Sequence, residues 1–378
     1  MAAADPPPGF LDAASGQPLN PAAQQAWAAA ADAGWADPQR LYRAGRQADL
    51  LRQSAREAMA KGLDVAADAV HLTASVADLP TRIVRTLAPP DGIVVMTAVE
   101  HSAVLAAGDD ITARGGEVRI VGVDSWGRVD PVEYAAALPG ADLAFVQAAN
   151  HEVGTRQPVD EVTEACDRVG VPLVVDASFS LGHDVVQPNR GGWSVLFGQA
   201  GSWGGPTGTG LLAVSDPAHR RQLQRDIPAA ALPATLAAAR GWEWALENAQ
   251  LESQRARALT SRILETVVTT VPDVLPLGDA TDRLPHLVAF SCLYVDGEAL
   301  VLGLDRAGYA ISSGSSCVSD TRRPSHVLAA MGALTQGNVR VSLPYGVSDA
   351  TVDGFLQTLP TVVADVRALL GAPPSEAM

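Results

Sequence analysis

Short apolar runs and longer helical patterns take turns along most of this chain. The runs at 70–74, 92–97, 118–123, 143–148 and Leu173–Asp176 predict strands. Patterns repeating every 3.6 residues predict helices at Pro21–Ala33, 43–61, 102–114 and Val159–Val169. Strands alternating with helices imply a mainly parallel sheet covered on both faces. In such sheets ligands bind beyond the carboxyl ends of the strands. His101, Asn150, His151, Asp176 and Ser178 all fall at such ends. Further on, 236–271 predicts one long helix, broken once at most, leading into an α+β unit with strands at Leu287–Cys292, 309–312 and Asn338–Ser342 and helices at Gly297–Arg306, 324–331 and 349–370. The expected division is an irregular arm at 1–20, a large domain at 21–245 and a small one at 246–378.

One stretch breaks the alternation. Residues 197–210 join two apolar segments and hold six glycines, yet no Lys, His, Cys, Asp or Glu. A glycine-dense loop lets backbone approach a ligand closely, but this one carries no reactive side chain beyond Ser202, Thr207 and Thr209.

Composition narrows the function classes. At 378 residues and 47% hydrophobic content the chain can bury a large core. No apolar run reaches a membrane-spanning length, and the start lacks a signal-peptide pattern, so a cytoplasmic address is expected. A net charge of −15 argues against nucleic acid and anionic membrane as partners. Three scattered cysteines, Cys166, Cys292 and Cys317, suit neither a disulfide framework nor a zinc site. The sharpest count concerns amines: the only lysine is Lys61, at the end of a predicted helix, where a cation suits the helix dipole.

Five motifs stand out in order: Asp37-Pro-Gln-Arg-Leu-Tyr-Arg-Ala-Gly-Arg46, Arg283-Leu-Pro-His, Gly297-Glu-Ala-Leu300, Ile311-Ser-Ser-Gly-Ser-Ser-Cys317 and Asn338-Val-Arg-Val-Ser-Leu343. With them the segments from about Phe10 to Leu370 resemble, in order, the class V aminotransferases, and among them the NifS/IscS-type cysteine desulfurases. The resemblance implies a fold-type-I architecture that is α/β, with a mainly parallel seven-stranded type of sheet and a smaller C-terminal domain. It also implies a homodimer and a pyridoxal phosphate (PLP) held as an imine on lysine. On this frame Asp176 matches the partner of the pyridine nitrogen and His101 the ring-stacking histidine. Asn150 matches the residue near the ring hydroxyl, with Ser178 beside it in the cofactor set. Arg340 matches the clamp for the substrate carboxylate, and Cys317 the sulfur acceptor that becomes a persulfide.

The departures from the family gather at the cofactor. Matching Gly205-Pro-Thr-Gly208 to the family's Gly-Pro-Lys-Gly puts Ser202 at the imine lysine, Gly201 at the preceding histidine and Gln199 at a phosphate-binding serine. The phosphate loop reads Thr73-Ala-Ser-Val-Ala-Asp78, without its glycine and second threonine; Phe179 replaces a glutamine, and Ala231-Leu-Pro-Ala-Thr235 replaces Arg-Ser-Gly-Thr. A hydroxyl cannot form an imine. No covalent cofactor is therefore expected, with PLP at most a weak noncovalent ligand and with Trp203 or Phe179 expected to fill the emptied cavity. Three roles stay open: a non-catalytic homologue relaying sulfur on Cys317, an enzyme using noncovalent PLP or another reaction, and a structural or regulatory partner of an active desulfurase.

Overall fold

The computed structural model describes residues 6–33, 35–183, 192–313 and 324–371. Seven strands form the large sheet: β1 (Val70–Thr73), β2 (Ile93–Thr97), β3 (Glu117–Val121), β4 (Leu143–Gln147), β5 (Leu173–Asp176), β6 (Val195–Gln199) and β7 (Gly210–Val214). Their order is β1-β7-β6-β5-β4-β2-β3. Every neighbouring pair is parallel except those of β7, which runs against both β1 and β6. The predicted α/β architecture holds.

Alternation along each strand sends successive side chains to opposite faces. On β4, Ala144 and Val146 enter one core cluster while Leu143 and Phe145 enter the other. Helices cover both faces, in chain order α1 (Pro21–Ala33), α2 (Arg43–Leu63), α3 (Leu79–Leu87), α4 (Ser102–Ala113), α5 (Pro131–Ala137), α6 (Val159–Val169), α7 (Pro217–Asp226) and α8 (Leu232–Thr270). Leu79 and Ile83 of α3, Val104 of α4 and Leu223 of α7 line the second cluster, whereas α2, α6 and α8 supply the first.

α8 runs unbroken for 39 residues, so the allowance for a break was not needed. Its first half gives Ala238, Trp242 and Ala245 to the large-sheet core, and its second half gives Leu259, Ile263 and Val267 to a separate cluster. That second core belongs to the smaller C-terminal domain. Its antiparallel sheet has the order β10-β9-β8, from β8 (Val274–Leu277), β9 (Leu287–Cys292) and β10 (Asn338–Ser342). The helices α9 (Gly297–Arg306), α10 (His326–Ala330) and α11 (Asp349–Leu369) complete it. Residues 309–312 contribute single bridges, Phe10 to Ala310 and Ser312 to Arg340, in place of the expected strand. No helix among the described residues is long and apolar enough to cross a membrane.

The N-terminal arm is pinned at both ends. Leu11 is fully buried in the small-domain core, and its carbonyl accepts the Ser342 N–H. At the other end Asn20 caps α1, its Oδ1 accepting the Ala23 N–H at 2.9 Å while Nδ2 donates to the carbonyls of Trp203 (3.0 Å) and Gly241 (2.8 Å). One buried amide thus ties the arm, the glycine-rich loop and α8 together. Asn20→Ala is expected to cost about 1–2 kcal/mol in urea denaturation, from the lost cap and two stranded carbonyls. Asn20→Asp keeps the cap acceptor but sets a carboxylate against both carbonyls, and should do no better.

Candidate active site

The carboxyl ends of β1, β2, β5 and β6 and the loops after them supply the side chains of one region. After β5, the Asp176 carboxylate accepts the Ser178 N–H at 2.9 Å, which fixes the turn that presents both residues. After β2, His101 caps α4 by accepting the Ala103 N–H on Nδ1 at 3.2 Å. In the neutral ring that bond leaves Nε2 as the protonated nitrogen. Burial raises the Asp176 carboxyl above the usual carboxylate range, opposed by Ser178 and by the His101 charge. Burial lowers His101, opposed chiefly by Asp176.

These side chains line a cavity of about 150 Å³. Phe179 and Phe197 are in its wall with Ala103, and Gln199 of β6 adds an amide. On the β1 side the lining is Val76, Ala77 and Pro80. No lysine or arginine is among the described residues that line it.

The predicted residues are thus only partly brought together. His101, Asp176 and Ser178 share the cavity. Asn150 is fully buried beside it, with Nδ2 donating to the Val99 carbonyl and Oδ1 accepting the Glu152 and Val153 N–H groups, so its side chain is spent on the turn after β4. Ser202 turns its hydroxyl onto the Leu181 carbonyl and does not line the cavity. Arg340, on β10, donates to the His151 carbonyl (3.0 Å), Asp12 (2.9 Å) and Ser15 (2.9 Å), which occupies both its terminal nitrogens. Cys317 lies outside the described residues.

The expectation of a plugged cavity needs correction. Trp203 is fully buried but faces α8, its Nε1 donating to the Ala238 carbonyl at 2.9 Å and its ring lying edge-on to Trp242. A large apolar ring next to an apolar helix face gains more by joining the core than by projecting into a polar-floored cavity. Phe179 stands in the wall, 5.6 Å from the His151 ring and 6.2 Å from the His101 ring, and leaves the space open.

Two buried acids escaped the sequence-based selection. Glu100, directly before His101, accepts the Thr97 hydroxyl at 2.7 Å and the Gln147 N–H at 3.2 Å, and burial pushes its carboxyl up to about 8. Glu152 accepts the Ser325 hydroxyl at 2.6 Å, and burial brings it to about 7. Each lies directly beside a histidine at a strand end, Glu100 before His101 and Glu152 after His151, and that adjacency was the available signal. His151 is buried among His101, Phe179 and His326; Nε2 lies 3.7 Å from Glu152 Oε1, and among the described residues neither ring nitrogen has a hydrogen-bond partner. Among the described residues no group of three His, Cys, Asp or Glu could hold a metal ion.

The cavity meets the needs of PLP at one end only. Asp176 and His101 are the residues that would hold a pyridine ring, and the carboxylate would favour a protonated ring nitrogen there. The phosphate end does not fit. The Ala74 N–H is taken by the Pro228 carbonyl, the Ser75 N–H by Thr73 Oγ1, and the facing side chains are apolar. Arg82, one turn into α3, is committed to Asp78 and to the Asp226 carbonyl. The only lysine, Lys61, is exposed in the last turn of α2 and is not part of the lining.

Comparison with known proteins agrees with the fold. The family described as aminotransferase class-V matches residues 12–225 and 228–355. A cysteine desulfurase of Cereibacter sphaeroides is 30% identical over 377 residues, spanning 95% of this chain and 97% of its own. An IscS-like cysteine desulfurase of Mycobacterium tuberculosis is 30% identical over 381 residues, with 95% of this chain covered. A solved NifS-like protein superimposes with a TM-score of 0.86 at 22% identity, over 95% of this chain and all of that one.

Proposed function

Since the chain belongs to the aminotransferase class-V family, with cysteine desulfurases among its relatives, we propose that it is a desulfurase-like member that has given up imine chemistry. The observation that carries this is that no lysine is among the described residues of the cavity lining. Ser202 occupies the sequence position of the imine lysine with its hydroxyl bound to Leu181, and the one lysine of the chain is on α2. PLP entering this cavity would have only noncovalent contacts to draw on, and its phosphate would meet Val76, Ala77 and Pro80.

The role we assign is a relay of sulfur on Cys317. A donor persulfide passes its terminal sulfur to the Cys317 thiolate. The new S–S bond forms as the donor's own breaks, and the donor departs as a thiolate, with no external oxidant or reductant. The donor is an active cysteine desulfurase and the next acceptor another thiol protein; the chain itself pairs as a homodimer or with a catalytic paralogue. Exposed Trp35, Leu41 and Tyr42 support such a pairing. The open cavity favours a second reading, an enzyme that runs a different reaction there.

Two measurements test the reading. Incubated with PLP and cysteine, the purified protein is expected to show no aldimine band in the visible and no sulfide above a protein-free control. Sulfide release at a rate that scales with protein would overturn the loss of imine chemistry. Incubated with an active desulfurase and sulfur-labelled cysteine, wild type should carry label that Cys317→Ser lacks, and equal labelling of the two would rule out the relay.

A further inference from the structure

The cavity is polar at one pole and apolar at the other. At the β5 pole stand Asp176, Ser178 and, from the loop after β2, His101. At the β1 pole stand Val76, Ala77 and Pro80. In the sheet β1 and β5 are three places apart, with β7 and β6 between them, which separates their ends by roughly 14 Å.

We propose that this cavity binds a planar, unphosphorylated nitrogen heterocycle, neutral or singly cationic, with its ring N–H on Asp176. This rests on the loss of imine chemistry argued above. A buried carboxylate that accepts from Ser178 has capacity for a further donor, and a ring N–H or N⁺–H supplies one. A cationic ring also meets an aromatic wall in Phe179, which attracts positive charge through its π face. A phosphate dianion has the opposite fit. Placed in this cavity it would share the space with a carboxylate, face the apolar side chains of Val76, Ala77 and Pro80, and meet no lysine or arginine among the described residues of the lining. A dianion held against apolar side chains without a paired cation is unfavourable. The loop amides of Ala74 and Ser75 are already used within the protein. The cavity of a phosphorylated cofactor has therefore become selective against phosphate.

Pyridoxamine and pyridoxamine 5′-phosphate differ only in the phosphate ester, and neither carries an aldehyde that could react with an amine. Titrated calorimetrically into the full chain, pyridoxamine is expected to bind at a single site, at least about tenfold more tightly than its phosphate. Asp176→Asn should weaken pyridoxamine by a similar factor while still unfolding in one cooperative thermal transition. Ala77→Arg, at an exposed position of the apolar pole, should invert the preference and serves as a gain-of-binding check that does not touch Asp176. Equal or tighter binding of the phosphate by wild type, or no binding of either compound, overturns the proposal. Sulfide release is read separately, so either conclusion can fail while the other stands.

Discussion

Trp203→Ala is expected to lower the free energy of unfolding by about 3–5 kcal/mol, the range for removing a large aromatic from a packed core. That is a large share of the 5–15 kcal/mol typical of a folded domain. The indole is fully buried, pairs edge-on with Trp242 and donates to the Ala238 carbonyl. Its surroundings are also shaped to it. A Cβ on Gly182 would lie 2.4 Å from the Trp203 Cβ, and Gly182 has a φ of +85°, so the chain there is glycine both for conformation and for the closeness of the tryptophan. These backbone walls cannot collapse far into the vacated volume. Trp203→Phe refills most of the space and should lose only about 1–2 kcal/mol. Urea denaturation at a common m-value reads both variants. A loss below about 1 kcal/mol for the alanine variant would mean that the indole is not packed on α8, and would return it to the cavity.

Trp203 also marks where the sequence ceases to be informative. The apolar runs of the large sheet are legible because buried parallel strands read as continuous apolar stretches. For the same reason His101, Asp176 and Ser178 could be picked out as strand-end residues, and the cavity does bring them together. The 197–210 loop has no periodicity, so nothing local says whether Trp203 faces the cavity or α8. Arg340 is a similar case, because its partner Asp12 lies 328 residues away and only the tertiary fold joins them. Other omissions had a readable signal. Helices α5 and α7 each begin with an Asp-Pro pair, Asp130-Pro131 and Asp216-Pro217, in which the aspartate caps and the proline takes the first turn. β8 is short, half exposed and contains Pro276, features of an edge strand that weaken its apolar pattern.

The motifs kept near the cavity divide by what holds them. Asn150 and Arg340 are each engaged in hydrogen bonds that join separate segments, so the fold itself needs them whatever the chemistry. Ser178 and Asp176 instead hold a turn at the mouth of an open space, where the carboxylate still has room for a donor. Retained residues of the first kind say little about activity. Those of the second kind are the reason to look for a ligand.

Glu100→Gln should change how stability depends on pH, by on the order of 3 kcal/mol between pH 5 and pH 8. Glu100 is fully buried, and desolvation pushes its carboxyl from 4.5 up to about 8, the nearby Asp176 charge adding to the shift. Below pH 4.5 both the folded and the unfolded chain hold the proton, and the group costs nothing. Between 4.5 and about 8 the unfolded chain has lost a proton that the folded chain keeps, so stability falls as pH rises through this window and levels off above it. Glutamine mimics the protonated acid. Its carbonyl can accept from Thr97 and from the Gln147 N–H, and its amide takes the place of Oε2, which has no hydrogen-bond partner among the described residues. Near pH 5 the two proteins should therefore be close in stability, and at pH 8 the variant should be the more stable. Glu152, raised to about 7, adds its own slope to both proteins and largely cancels in the difference. Parallel pH profiles in paired urea titrations would show that Glu100 ionises at its ordinary value in the folded protein, which requires a hydrated carboxylate under α4 in place of the dry Thr97–Glu100–Gln147 cluster.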